Sequence, residues 1–467
     1  MDTRITLGKE PRIKPDLDPG FAPIIAAWRN FQAEASKTPG HQPFLLAVAQ
    51  PDGAVARRSG NLFPSGHPRA GENARHVERL VKFLLWAQGG RKIYFSGPAA
   101  VAESLRRHYT ETAVGRFDND LIGTKIYGGS LEVVEVSADA VPEESMPAQR
   151  IGGNLDGCRI GFDLGGSDRK AAALIDGKVV FSEEIAWQPY FQKDPAYHYE
   201  GIMDTLARAA KHLPRVDAIG GSAAGVYVNS EPRVGSLFRG VPQDLFDSQV
   251  RGLFKRIRRE WNNVPLVVMN DGEVTALAGA TALGDNAVLG ISMGTSLAAG
   301  FVTPEGSLTP WLNELAFVPV DARLDAPADE WSGDRGCGAQ YFSQQAIPRL
   351  AAAAGIELPA EMPLPEKLVA VQGFMAKDDP RARRIYDTIG VWFGYAILTF
   401  ADFYPVRNVL VLGRVTSGPG GERILAEARR VLEAEAPELA RALRLVTPDE
   451  TNKRHGQAVA AASLPKV

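Results

Sequence analysis

Apolar and polar positions along this chain alternate with two periods, and the switches between periods mark its elements. Near the N-terminus AAWRNFQAEASK carries a helical pattern after a Pro-rich start, and FLLAVAQPDGAVARRSG reads as two strands around a Pro-Asp-Gly turn. In ENARHVERLVKFLLWAQGG, Val77, Leu80, Val81, Leu84 and Leu85 recur at helical spacing and a glycine pair ends the run. RKIYFSGP follows as a buried strand that stops at a Gly-Pro corner. The same order of hairpin, helix and strand returns after Cys158, in RIGFDLGG, KAAALID and GKVVFSEEIA, then GIMDTLARAAKHL, then VDAIGGSAAG. This fits an internal duplication, and it equally fits the ordinary recurrence of α/β arrangements.

Between the two units, residues 137–154 are rich in Pro, Glu, Ser and Gly and read as a linker. Further on, PLVVMN is a buried strand ending at Asn270-Asp271 ahead of a small-residue helix, and AVLGISMGTSLAAGF is strand, glycine corner and strand. A long helix through 383–404 leads to the strand NVLVLG, which empties into a glycine cluster that opens another helix. The closing GQAVAAASL is a small-residue helix suited to packing back on an earlier lobe. These elements predict an α/β chain in three parts: an accessory N-terminal α/β domain over 1–150 and two lobes over 157–283 and 284–450, the first lobe completed by a helix within 452–467. At 467 residues the length agrees with about three units.

Composition narrows the function classes. A net charge of -3 gives no electrostatic case for nucleic acid, and the basic run FKRIRREW reads as the wet face of a helix. The longest apolar run, GVWFGYAILTF, is about half the length of a bilayer span, so no membrane segment is expected. The first twenty residues carry too much charge for a signal peptide, and two cysteines, Cys158 and Cys337, make no disulfide framework, so a cytoplasmic setting is expected.

The glycine corners carry the candidate chemistry. A turn between strands cradles phosphate when backbone N–H groups point inward and no Cβ blocks the approach. DLGGS supplies Gly165, Gly166 and the Ser167 hydroxyl, preceded by Asp163, a carboxylate able to hold a hydrated magnesium ion. Gly294, Thr295 and Ser296 form a second corner of this kind, and each corner alone is equally readable as a plain hairpin. Asp271, at a strand end and ahead of a helix, is either a helix N-cap or a general base at the mouth of an α/β cleft. A cradle, a metal and one base are what phosphoryl transfer requires.

In the order of these motifs the chain resembles the ROK family of repressors, open reading frames and sugar kinases, in the actin-like ATPase superfamily with its ribonuclease H-like two-lobe fold. The resemblance runs from Cys158 to Leu464. The family's DxGGT motif with a following lysine matches Asp163, Gly165, Gly166, Ser167 and Lys170; its NDA element matches Asn270 and Asp271, with Gly272 for alanine; its GTG motif matches Gly294 and Thr295, with Ser296 for the last glycine. The C-terminal adenosine-side motif matches NVLVLG up to Gly413, with Arg414 for a second glycine. The resemblance implies ATP and Mg2+ between two lobes, Asp271 as catalytic base, and Asn270 and Glu314 on a sugar acceptor.

Departures cluster on the sugar side. GELGHMPV of the family is NELAFVPV here, so its histidine, which would bind sugar and zinc, is Phe317; its zinc loop CxCGNRGCLE is EWSGDRGCGA, which keeps Cys337, has Glu330 and Ser332 at the other two cysteine positions, and has Ala339 for the glutamate that binds a sugar hydroxyl in the family. No zinc site is therefore expected. Gln340 is a candidate replacement for the lost glutamate, and Asn229, Glu231 and Arg239 are further polar candidates along the cleft. Two functions follow. One is an ATP-dependent kinase of a sugar or sugar-like polyol; the other is a non-catalytic actin-like sugar or nucleotide sensor. The N-terminal 150 residues contain no basic recognition helix, so DNA binding is not expected, and this region is a candidate cleft cover or homodimer surface.

Overall fold

The computed structural model describes residues 10–146, 151–447 and 456–467; parts of the predicted N-terminal domain, linker and C-terminal helix lie outside the described residues. In the first unit β1 (Gln42–Ala49) and β2 (Val55–Leu62) form an antiparallel hairpin, and Asp52 closes its turn by accepting the Ala54 N–H at 3.2 Å. The helix Asn73–Ala87 follows, stopped by Gly89 and Gly90, both at positive φ. β3 (Lys92–Ser96) and β4 (Glu132–Glu135) complete a sheet of order β2-β1-β3-β4.

The second unit opens with β5 (Cys158–Leu164), β6 (Asp168–Ile175) and β7 (Lys178–Ala186), then the helix Pro195–Ala210 and β8 (Ala218–Ala223). A small hairpin of β9 (Val226–Val228) and β10 (Glu231–Val234) precedes β11 (Leu266–Asn270), and the sheet runs β11-β8-β5-β6-β7. β8 enters parallel to β5, whereas β3 enters antiparallel to β1. The two hairpin-helix-strand units therefore share an order of elements and differ in topology. Hydrophobic periodicity reports which face of a strand is buried and carries no information on the direction in which it joins a sheet.

The third sheet has β12 (Val288–Met293), β13 (Leu297–Val302), β14 (Asn408–Leu412) and β15 (Arg444–Val446) in the order β13-β12-β14-β15. The helix Asp271–Leu283 leads into it from β11. The terminal helix Gly456–Ala462 returns to the second sheet, where a Cβ on Gly161 or Gly220 would collide with the carbonyls of Ala458 and Ala461. Small residues on both sides let helix and sheet meet backbone to backbone.

The apolar run at 390–400 belongs to the helix Pro380–Ala401, buried from Thr388 to Phe400. One continuous core joins this helix to the first unit: Phe83 stacks on Phe403 at 4.0 Å and Trp28 lies 5.8 Å from the same ring. The N-terminal unit is thus packed as part of the body. Among the described residues no helix is long and apolar enough to cross a membrane.

Candidate active site

Strand register brings the first acidic residues together. Asp163 at the end of β5 pairs across the hairpin with Lys170 and lies beside Ser222 of β8. The Ser222 hydroxyl donates to Asp163 Oδ1 at 2.6 Å, and Lys170 Nζ lies 3.5 Å from Oδ2 and 3.2 Å from Asp168. Burial raises the Asp163 pKa, while Ser222 and Lys170 oppose that rise.

The DLGGS corner is a tight hairpin: the Gly165 N–H donates to Asp168 O at 2.9 Å, and the Trp187 indole N–H donates to Gly165 O at 2.8 Å. A Cβ on Gly166 would strike the Tyr190 ring, on which the Arg239 guanidinium stacks at 3.9 Å. Packing alone thus demands this glycine. The N–H groups of Gly166 and Ser167 nevertheless find no acceptor among the described residues, and neither do those of Thr295 and Ser296 at the second corner. At Gly294 a Cβ would meet only Ser296 O, at 3.7 Å, so space lies in front of this corner. Gly413 is different. Its φ of 106° and its approach to the Met293 backbone require glycine for the close passage of β14 beside the corner.

Of the two roles that the sequence left open for Asp271, that of N-cap falls to Asn270. Asn270 is the N-cap: its Oδ1 accepts the Gly272 N–H at 2.7 Å and its Nδ2 donates to Gly225 O at 2.7 Å. Each end of its amide makes one bond within the fold, which fixes the start of the helix that carries Asp271 and leaves a second Nδ2 N–H and a second Oδ1 lone pair for an acceptor. Asp271 Oδ1 also accepts from the Gly272 N–H, at 3.0 Å, and Oδ2 has no protein partner among the described residues. Gly272 stands for alanine because a Cβ there would lie 2.6 Å from Ala299 O on β13. Burial, and then the Asp163 charge, push the Asp271 pKa up to about 6. Asp271 lines a cavity of about 160 Å³ with Thr275, Ser292, Leu412 and Gln457.

Two further acids approach it. Among the described residues the Glu314 carboxylate has no hydrogen-bond partner, and its pKa is pushed up to about 7 by burial and by Asp271. Glu273, which the sequence reading missed inside an apparently apolar helix, is 6% exposed and is pushed up to about 8 by burial. Asn313 Nδ2 lies 3.4 Å from Glu273, and the Tyr404 hydroxyl donates to Asn313 Oδ1 at 3.1 Å. A carboxylate two positions after Asp271 in NDGE was the available signal.

The remaining candidates have local partners. Phe317 packs on Trp86 at 4.2 Å, Gln340 donates to Gln345 at 2.6 Å, and Glu231 pairs with Arg233 and Lys255. Asn229 forms the β9–β10 turn at positive φ. In the 330–339 segment Ser332 donates to Asp329 at 2.8 Å and Cys337 is buried; no group of three or more His, Cys, Asp or Glu side chains is placed to hold a metal among the described residues. Beyond Gly413, a second cavity of about 270 Å³ is lined by Leu368, Val369, Gln372, Arg414 and Ser417.

The β11-β8-β5-β6-β7 sheet and the β13-β12-β14-β15 sheet, joined by the helix Asp271–Leu283, build two lobes, and solved structures share this fold. The chain is similar to the ROK hexokinase from Thermus thermophilus, with a TM-score of 0.51 and 19% identity over 66% of this chain and 97% of that one. It is equally similar to a ROK family transcriptional regulator, a homologue of the E. coli MLC protein, with a TM-score of 0.51 and 19% identity over 66% of this chain and 78% of that one. No protein-family model and no curated protein matches the sequence. The fold is therefore that of ROK proteins, the α/β two-lobe actin-like type, in a chain that extends beyond the shared part.

Proposed function

We propose that this protein is an ATP-dependent phosphotransferase acting on a hydroxyl of a sugar or sugar-like polyol. The observation that carries the reading is Asp271: it follows a capped helix start and lines the cavity between the lobes, with Oδ2 unpartnered among the described residues and a pKa raised to about 6. A base of that strength is ionised at neutral pH and accepts a hydroxyl proton readily as the oxygen attacks phosphorus. The free N–H groups of Gly166, Ser167, Thr295 and Ser296 would hold the donor phosphates, with Lys170 adding charge from the β6 side. The cavity beside Gly413 and Arg414 would take the nucleoside.

Asp163 suits a hydrated magnesium ion: it is a hard oxygen donor, 4% exposed, with Oδ1 held by Ser222 and Oδ2 facing the corner lysine. When bound, the ion would neutralise charge on the donor phosphates. Glu314 would accept hydrogen bonds from the acceptor, beside the apolar wall of Phe317 and Trp86.

A second reading, a non-catalytic sugar or nucleotide sensor, is favoured by the apolar packing of Phe317 and by the engagement of Gln340 with Gln345, which leave fewer polar groups to hold an acceptor. ADP release with hexoses, amino sugars and polyols separates the two. Turnover that disappears in Asp271→Asn while ligand binding persists supports the kinase; ATP binding with no turnover of any acceptor supports the sensor.

A further inference from the structure

We infer that the N-terminal unit is a working part of the acceptor pocket: its helix Asn73–Ala87 sets the position of Glu314 and of the 329–338 loop, with Arg79, Lys82 and Asp334 as positioning residues. This rests on the kinase reading above. The last carbonyls of a helix lack partners within the helix. Here Trp86 O accepts the Glu314 N–H and Ala87 O accepts the Asn313 N–H, each at 2.9 Å. Gln50 extends the same junction, donating to Gln88 O at 2.6 Å and to Pro310 O at 3.1 Å. The segment that carries Glu314 thus serves as the C-terminal cap of a helix from another unit.

One and two turns earlier, the same helix grips the second segment. Lys82, fully buried, donates to Asp118 at 2.8 and 2.9 Å and lies 3.2 Å from Asp334. Arg79 Nη1 donates to both Asp334 oxygens, at 3.0 and 2.9 Å. Trp86 closes the arrangement, its N–H on Asp118 at 3.0 Å and its ring on Phe317. Residues 79, 82 and 86 are spaced to share one side of the helix. Among the described residues Asp334 makes the loop's ion pairs to these cations, and it lies three residues before the buried Cys337.

A buried ion network contributes little net stability compared with an apolar cluster of the same volume, and its better-attested use is to fix one arrangement among several. That is the need here. Among the described residues the Glu314 carboxylate has no side-chain partner, so its place depends on its backbone and on the Trp86 carbonyl. Glu314 is proposed to hold the acceptor in ground and transition state alike, so its displacement would raise the acceptor KM and leave kcat nearly unchanged.

The test compares wild type with Asp334→Asn and Arg79→Gln, and with Asp334→Glu as the conservative rescue. Two readouts are taken: steady-state kinetics, and hydrogen exchange of the 313–338 peptides in the full chain. The expected result is a KM for the acceptor raised about tenfold or more, with kcat and the KM for ATP within about twofold, faster exchange in 313–338, and partial recovery in Asp334→Glu. Unchanged exchange in folded variants overturns the inference whatever the activity, and so does a fall in kcat with both KM values unmoved. If Asp334→Asn does not fold, Arg79→Gln leaves the Lys82–Asp334 pair in place and decides. Wild type that turns over no acceptor contradicts the kinase reading instead, and the exchange comparison then still decides the positioning role.

Discussion

Replacing Asp271 with asparagine should make the protein more stable and less active at once, by amounts that the site itself sets. The folded state raises the Asp271 pKa from 3.8 to about 6, through burial first and the Asp163 charge second. A raised carboxylate favours its protonated form in the fold, so the associated stability is complete below pH 3.8 and is lost as pH rises through 6. With 1.36 kcal/mol per unit, ionised Asp271 costs the folded state about 3 kcal/mol at pH 8 and about 0.5 kcal/mol at pH 4. Asparagine has nearly the same shape, keeps an oxygen for the Gly272 N–H, and carries no charge to bury. Urea denaturation at pH 4 and pH 8 should therefore show Asp271→Asn gaining on wild type as pH rises, while phosphotransfer falls by about 10²–10⁴ for loss of a general base. A variant no more stable at pH 8 would refute the burial argument, and one with wild-type turnover would refute the base.

The same site makes four further predictions. kcat/KM should rise with pH to a plateau through an apparent pKa near 6, the value at which the free enzyme's base ionises; a flat profile between pH 5 and 8 would exclude Asp271 from that role. Glu273→Gln should stabilise the protein by about 1 kcal/mol at pH 5 and about 4 kcal/mol at pH 7.5, because burial raises this carboxyl from 4.5 to about 8; calorimetric melting at the two pH values measures the difference. Gly294→Ala, whose Cβ meets only Ser296 O at 3.7 Å, should leave the melting temperature within a few degrees and weaken ATP binding. Gly413→Ala, at a φ of 106° and against the Met293 backbone, should lower stability by about 2 kcal/mol or more.

Much of the fold was legible because burial follows period. The helix Asn73–Ala87, the fully buried β5 and the long helix Pro380–Ala401 all stand where apolar spacing set them. What failed was punctuation and direction. Gly97-Pro98 read as a stop, and the helix Ala99–Glu111 begins directly after it, since proline suits a helix start as well as a strand end. Whether β3 ran parallel or antiparallel to β1 depended on the connection between them and on no local pattern.

Asp163, Asp271 and Gly294 were legible from sequence as candidates because each stands at a strand end followed by a recognisable corner or helix start. Glu273, Arg79 and Lys82 were not. A charge in an amphipathic helix reads as solvated until its partner is known, and the partner of Lys82 and Arg79 is Asp334, more than 250 residues away for Arg79. The shared core around Phe83 and Phe403 is hidden in the same manner, for residues from distant parts of the chain look alike whether they bury together or apart.

The central claim is that the two corners and Asp271 form a nucleotide and acceptor cleft. Isothermal titration of ATP-Mg into the purified protein, alone and with hexoses, amino sugars or polyols, tests it most directly. The account predicts one ATP bound per chain, with affinity increased by at least one acceptor. No ATP binding in any mixture would contradict it and would leave the DLGGS and GTS corners as hairpins whose free N–H groups serve water alone.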